Sequence, residues 1–176
     1  MVIGGGVYFY KNKKVEAPVV VNESENVGLD NQQEVAPIDT TNPNQKTMSV
    51  KLYFPNRTFN PEIFDCSLVY SVNRVIPYTQ AVAAATLAEL IKGPTAEEQK
   101  NGYFGTIPEG TKVNSIKIVN GFLFVDFNKE AESGGGSCGQ AAKGSSIVKT
   151  LTQFSTVKSI QMSVEGNSNP SEIFQP

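Results

Sequence analysis

The feature that most restricts how this chain can fold is the dipeptide Asn120-Gly121, which separates two strand-like segments. These segments, Lys112 to Val119 and Phe122 to Asn128, are rich in β-branched and aromatic residues. Asn-Gly is the favoured pair for a two-residue type I′ turn, because both central residues of that turn need a positive φ. The chain is therefore predicted to contain an antiparallel hairpin, which the rest of the fold must accommodate.

Hydrophobic periodicity predicts further strands and helices around this hairpin. Alternation after Met48 and the extended run from Leu68 to Ile76 predict two strands. A helical period follows, with Thr79 as its candidate N-cap, and a longer helix is predicted from about Gln140 to Gln153. A last strand is expected from Val157 to Val164. The predicted order is β-β-α-α-β-β-α-β, an α+β fold with a single mixed or antiparallel sheet and helices packed on one face.

The segment LIKGPTAEEQ contains the residues that end one helix and begin another. Gly93 suits the left-handed position after a helix, and Pro94 prevents continuation. Thr95 and Glu98 have the spacing of a capping box. Lys92 falls in the last helical turn, where a cation favours the helix dipole. The segment is predicted to be a junction between helices rather than a catalytic loop.

The two ends of the chain differ in composition from this central part. Val2 to Tyr10 is apolar, but as a helix it rises only about 14 Å, against roughly 30 Å for a hydrocarbon core. We interpret residues 1–10 as the end of a truncated membrane anchor, with a frayed N-terminus as the alternative. Residues 11–47, rich in Asn, Gln, Glu, Thr and Pro, predict a flexible linker. The folded domain is expected over residues 48–166, followed by a C-terminal tail, residues 167–176.

The composition excludes several classes of chemistry. The chain contains no His, so Ser-His and Cys-His nucleophile pairs cannot form within it, and the usual zinc sites are excluded. Its net charge is −2, which gives no reason to expect nucleic-acid binding. No catalytic, cofactor-binding or metal-binding residue is predicted.

Two segments approach ligand-binding motifs without completing them. Residues 139–146, GQAAKGSS, resemble a phosphate loop, but Ser145 stands where that motif requires Lys. Acidic residues after Asp126 have the spacing of a calcium loop, but Ala131 stands where that loop requires Gly. Both segments are interpreted as structural.

A short loop remains as a candidate anion site. Glycine lets backbone N–H groups face an anion near a helix N-terminus, and the loop consists of Gly134, Gly135, Gly136 and Ser137. A permissive turn is the alternative interpretation of these residues.

Arg74 is the one charged residue in a strand that otherwise reads as apolar. Three roles are open for it: an ion pair with Asp126, an ion pair with Glu89, or exposure to water. Four tyrosines could line a sugar-binding surface or simply pack with bonded hydroxyls; they are Tyr53, Tyr70, Tyr78 and Tyr103.

The stretch from Ala81 to Asn128, together with TLTQF at Thr150 to Phe154, resembles the GerMN domain, also called the sporulation and spore germination domain. The resemblance covers roughly Met48 to Gly166. It rests on the combination of L-x-x-L-x-x-G-P-T-x-x-E, I-P-x-G-T, a V-D-F strand and T-L-T-Q-F, in which Thr150, Gln153 and Phe154 are motif residues. The chain departs from the pattern at NRTFNPEIFDCS, which is longer than the minimal family segment, and at Gly144, which lies inside a predicted helix.

The resemblance implies a non-enzymatic bacterial domain outside the cytoplasm, tethered to the membrane by an N-terminal segment. Such a domain would act in envelope or spore-associated assembly by contacting envelope proteins or copies of itself. Peptidoglycan or glycan binding is the alternative, and a hydrolase using Asp126 and Glu130 ranks third. The external location favours a disulfide between Cys66 and Cys138, and two unpaired thiols are the alternative.

Overall fold

The computed structural model describes residues 46–168. The predicted anchor end, residues 11–45 of the predicted linker and residues 169–176 of the predicted tail lie outside the described residues. Within the described range, five strands, three α-helices and one 3₁₀ helix follow in this order: β1 Thr47–Phe54, β2 Tyr70–Pro77, α1 Val82–Ile91, α2 Ala96–Lys100, β3 Val113–Val119, β4 Phe122–Phe127, the 3₁₀ helix Lys129–Glu132, α3 Gly136–Leu151 and β5 Ser159–Val164.

The protein has a mixed α+β fold, but its strands form two sheets. β1 and β2 form an antiparallel pair, and β3, β4 and β5 form a second sheet in which β4 and β5 run parallel. The predicted single sheet is wrong, because periodicity locates strands without identifying their partners. The outer edge of β1 contacts side chains at the end of α3, which occupy the place of a neighbouring strand.

One hydrophobic core joins the two sheets to α1 and α3, and both of these helices pack against β1. Along β4 the side chains alternate between buried and partly exposed, as the period of two predicts. Burial of a large apolar side chain contributes about 1.5–3 kcal/mol, so this core supplies most of the driving force for folding. Its fully buried large apolar residues include Leu52, Phe54, Leu87, Leu90, Leu123, Phe127, Ile147 and Leu151.

The hairpin between β3 and β4 turns at Asn120 and Gly121, whose φ values are 52° and 85°. These two positive angles are the ones a type I′ turn requires. The Gly121 carbonyl also accepts hydrogen bonds from the N–H groups of Lys158 at 2.8 Å and Ser159 at 3.2 Å. The turn therefore fixes the start of β5 as well as the hairpin.

Two predicted helix starts are wrong. Thr79 is not the N-cap of α1, which begins at Val82; its hydroxyl instead accepts from the Ala81 N–H at 3.1 Å, a local turn that competes with helix capping. α3 begins at Gly136, earlier than the predicted Gln140. Weak helix propensity among the glycines is overridden there by tertiary contacts.

Candidate functional site

The junction between α1 and α2, residues 92–98, is closed by its own hydrogen bonds. Gly93 has φ 81°, the left-handed conformation expected after a helix. Thr95 Oγ1 accepts from the Glu98 N–H at 3.2 Å, and Glu98 Oε2 accepts from the Thr95 N–H at 2.7 Å. Both bonds of a capping box are present, so Thr95 is the N-cap of α2.

Arg74 joins this junction to β2. Its guanidinium donates two hydrogen bonds to Glu98, at 2.7 and 3.0 Å, and one to Glu89 at 3.5 Å. Glu89 also pairs with Lys92 at 2.6 Å. Of the three open roles for Arg74, the ion pair with Glu89 is present, Glu98 is an additional partner, and Asp126 is not among them. The charges of the junction are thus used to hold β2, α1 and α2 together.

Asp126 is held by three donors from neighbouring segments. Its carboxylate accepts from the Ser163 hydroxyl at 2.5 Å, the Gly166 N–H at 2.8 Å and the Asn114 amide at 3.0 Å. Partial burial acts to raise the pKa of Asp126, but the hydrogen bonds from Ser163, Gly166 and Asn114 together outweigh it and hold the pKa below its usual value. A carboxyl with a low pKa is a poor proton donor.

The TLTQF segment covers the outer edge of β1. Gln153 accepts from the Lys51 N–H at 2.9 Å and donates to the Lys51 carbonyl at 2.7 Å. Thr150 Oγ1 accepts from the Tyr53 N–H at 3.1 Å, while Phe154 packs against the core. Side chains thus pair with backbone groups that would otherwise form an open sheet edge.

A disulfide joins Cys66 to Cys138, with a Cα–Cα distance of 5.1 Å. This separation lies within the usual range of about 4.4–6.8 Å. The bond links the connection between β1 and β2, residues 55–69, to the first turns of α3. We call residues 56–69 the disulfide loop.

Asn56 holds the start of the disulfide loop, and the sequence analysis did not single it out. Its side-chain oxygen accepts from the N–H groups of Thr58 at 2.7 Å and Phe59 at 3.1 Å. Its side-chain nitrogen donates to the Asn101 carbonyl at 3.0 Å, and the residue is only 1% exposed. The sequence signal is an Asn directly after Pro55, a pair typical of tight turns.

The disulfide loop presents apolar side chains to solvent. Phe59 is 59% exposed, Leu68 43% and Phe64 90%. Phe59 also contacts the rings of Tyr70 and Tyr103, at centroid distances of 5.1 and 6.4 Å. Two of the four tyrosines considered as a sugar platform therefore pack around a phenylalanine instead.

The candidate anion loop, Gly134 to Ser137, leads into α3. Gly134 and Gly135 have φ values of 73° and 85°, while Gly136 and Ser137 already belong to the first helical turn. A Cβ on Gly135 would lie 2.8 Å from the Gly139 Cα, so this position requires glycine. Anion binding by the loop stays a prediction.

Lys143, the lysine of the incomplete phosphate-loop motif, is buried inside the protein. It is 1% exposed and donates to the carbonyls of Ala131 at 2.5 Å and Ser133 at 3.3 Å. Burial lowers the pKa of Lys143 to about 8, and the nearby Glu132 carboxylate opposes this shift. The lysine thus binds the segment that leads into the glycine loop.

Residues 46–168 contain neither a metal-binding cluster nor a membrane-spanning helix. Among them no group of three or more His, Cys, Asp or Glu side chains is arranged to hold a metal ion. In the same part of the chain, no helix has the length and hydropathy needed to cross a membrane.

The family model described as sporulation and spore germination (Germane) matches residues 51–170. The chain belongs to the sporulation and spore germination family. The resemblance to the GerMN domain is thus confirmed. In this chain GPT lies at the junction between α1 and α2, and TLTQF covers the outer edge of β1.

Solved GerMN structures share the fold. The tandem GerMN domains of the sporulation protein GerM from Bacillus subtilis match with a TM-score of 0.56 and 21% identity, over 71% of this chain and 42% of that chain. The first GerMN domain of the same protein matches with a TM-score of 0.52 and 24% identity, over 69% of this chain and 86% of that chain. This chain therefore spans less than half of the tandem-domain chain. No curated protein sequence matches it.

Proposed function

We propose that this chain is a non-enzymatic GerMN module outside the cytoplasm that takes part in envelope or spore-associated assembly by contacting envelope proteins or copies of itself. The observation that carries this proposal is the disulfide loop, which exposes Phe59, Phe64 and Leu68 on a backbone held at both ends. Exposed aromatic side chains on a rigid framework suit protein interfaces, because binding then costs little loop entropy.

The proposed location has two supports. The disulfide between Cys66 and Cys138 would persist in an oxidising compartment and would be reduced in most cytosols. The apolar segment Val2 to Tyr10, followed by a basic cluster, suits a tether to the cytoplasmic membrane. Protease added to intact protoplasts should degrade the protein; full protection, together with two reactive thiols, would contradict this location.

The proposed absence of catalysis rests on the use of the charged side chains. Glu89 and Glu98 both bind Arg74, and Asp126 accepts three hydrogen bonds. Glu130, the second residue of the hydrolase alternative, lies in the 3₁₀ helix after β4 rather than beside Asp126 on the strand. Such groups are poorly placed to transfer protons to a substrate.

Glycan binding is a second candidate function, favoured by the outer face of the sheet formed by β3, β4 and β5. A shallow groove of about 360 Å³ there is lined by Phe124, Gln161 and Ser163. Phe122, 55% exposed, lies on the same face of β4. An aromatic surface beside amide and hydroxyl groups suits the apolar faces and hydroxyls of a sugar.

One experiment separates these functions by using two exposed phenylalanines as matched variants. Full-length wild-type protein, Phe64→Ala and Phe122→Ala are each tested for cross-linking to envelope proteins in intact cells and for binding to purified peptidoglycan. Cross-linking that is lost only with Phe64→Ala supports protein contact. Saturable peptidoglycan binding that is lost only with Phe122→Ala supports glycan binding instead. Turnover of wall fragments by the pure protein would contradict both.

A further inference from the structure

An apolar cavity opens beside the disulfide, with a volume of about 190 Å³. Leu68, Phe104, Ala142 and the disulfide itself contribute to its walls. Closed apolar cavities of about 150 Å³ accept a benzene ring, so this cavity has room for one aromatic side chain.

Phe64 stands next to this cavity without entering it. The residues on either side of it, Ile63 and Asp65, line the cavity, whereas Phe64 itself is 90% exposed. Ile63 has φ 49°, an unfavourable conformation for a β-branched residue. A hydrogen bond from the Ile63 N–H to the Asn60 carbonyl, at 3.1 Å, helps to hold this turn. The fold therefore maintains a costly conformation that directs one phenyl ring into solvent.

We propose that the partner of this surface is a second copy of the chain, with the Phe64 ring of each copy seated in the cavity of the other. A surface that carries a projection and a matching cavity side by side is complementary to itself under a two-fold rotation. This inference rests on the proposed function as a protein-contact module and names the partner.

The charges around the cavity agree with a protein partner of the same sequence. Arg57 lies 4.6 Å above the ring of Phe104, which lines the cavity, and Glu62 precedes Ile63 in the loop. Both charged side chains are exposed, and neither forms an ion pair within residues 46–168. A two-fold axis can bring Arg57 of one copy towards Glu62 of the other. The carboxylates of Glu62 and Asp65 beside Phe64 disfavour insertion into an anionic lipid surface.

The contact is small, so the expected affinity is weak, with a Kd on the order of 10–100 µM. Sedimentation velocity of the full chain over a concentration series measures it. Phe64→Ala should weaken dimerisation at least about tenfold, because it removes the central aromatic group. Phe122→Ala, at an exposed phenylalanine on another face, should leave it unchanged.

A second variant tests the cavity rather than the ring. Gly139 lines the cavity, and a Cβ built there meets no heavy atom within 4 Å, so the side chain of Gly139→Leu has room to begin there and should fill part of the cavity. Gly139→Leu alone should remain monomeric. An equimolar mixture of Phe64→Ala and Gly139→Leu should regain association, because one ring and one cavity are then intact.

Three results would overturn the proposal: wild-type protein that stays monomeric at about 1 mM, a dimer that Phe64→Ala leaves intact, or a mixture that regains no association. If Phe64→Ala removes cross-links to envelope proteins while the wild type remains monomeric, the partner is a different protein. In that case self-association fails and the proposed function stands. If the wild type shows neither cross-links to envelope proteins nor self-association, both the proposed function and the self-association proposal are contradicted.

Discussion

The junction between α1 and α2 and the disulfide loop use their side chains in opposite ways. At the junction, Arg74 binds both Glu89 and Glu98, and Thr95 forms a capping box with Glu98, so the geometry of the junction is maintained from within. In the disulfide loop, polar atoms and the disulfide hold the backbone, while apolar side chains such as Phe64 face solvent. The difference indicates that the family motif GPT builds the fold, whereas the longer segment outside the minimal pattern supplies the surface.

Removal of the disulfide should have the largest effect. Cys66→Ser combined with Cys138→Ser opens a link between residues 72 apart in sequence, and should destabilise the protein by about 2–4 kcal/mol. Urea unfolding measures the loss, and trypsin cleavage after Arg57 should become faster. Reductant should bring the wild type to the same stability. An unchanged unfolding midpoint would mean that the loop is held without its disulfide.

The buried Lys143 should make the free energy of unfolding depend on pH. Its pKa is about 8 in the folded protein and 10.5 ordinarily. Below pH 8 both states carry the proton, and the folded state bears the cost of a buried charge. Between pH 8 and pH 10.5 Lys143 stays protonated only in the unfolded state. The free energy of unfolding should therefore rise with pH across this window, by about 3 kcal/mol at most.

The measurement is the difference in unfolding free energy between wild type and Lys143→Met at pH 7.5 and at pH 10. This difference should shift in favour of the wild type as the pH rises. Lys100→Met, at an exposed lysine, is the control and should show no such shift. A difference that is flat with pH would place the Lys143 amine in a more solvated site.

Substitutions at the junction should have smaller effects that distinguish structure from binding. Thr95→Ala removes the N-cap of α2 and should cost about 0.5–2 kcal/mol. Lys92→Ala removes an exposed ion pair and should change stability by less than about 0.5 kcal/mol. Thermal unfolding checks both. A Lys92→Ala protein with unchanged stability and a lost binding activity would show that the junction is a binding site after all.

The smallest stability effect is expected at the exposed ring. Phe64→Ala should change the free energy of unfolding by less than about 0.5 kcal/mol, as should the matched Phe122→Ala. Denaturant unfolding at a concentration below self-association provides the test. A loss above about 1 kcal/mol for Phe64→Ala alone would mean that the ring packs within its own chain, and the contrast between the two regions would disappear.

Local signals predicted the local structure well. Asn120 and Gly121 adopt the positive φ values of a type I′ turn, and Gly93 adopts the left-handed conformation after α1. Each of these conformations depends on the dihedral preferences of one or two residues, and these preferences follow directly from the residue types. Thr79 shows the limit, because its hydroxyl could bond to more than one nearby N–H, and only packing selects between them.

Contacts between residues far apart in the sequence were harder to predict from the sequence. The single sheet was wrong because Thr150 and Gln153, about a hundred residues further along, occupy the edge of β1 that another strand could have taken. The start of α3 was misplaced because the disulfide and neighbouring contacts stabilise a glycine-rich first turn that propensity alone disfavours. Asn56 carried a recognisable turn signal but no indication that it would be buried.

The sequence by itself determined the α+β class, the hairpin, the helix junction and, through the absence of His, the exclusion of His-dependent chemistry. It also restricted any intramolecular disulfide to Cys66 and Cys138, since these are the only cysteines. Only the tertiary structure decided that Arg74 binds Glu98, that Lys143 is buried and that Phe64 is exposed beside a cavity. Dihedral preferences act within a few residues, whereas burial and partner choice depend on which distant segments the folded core brings together.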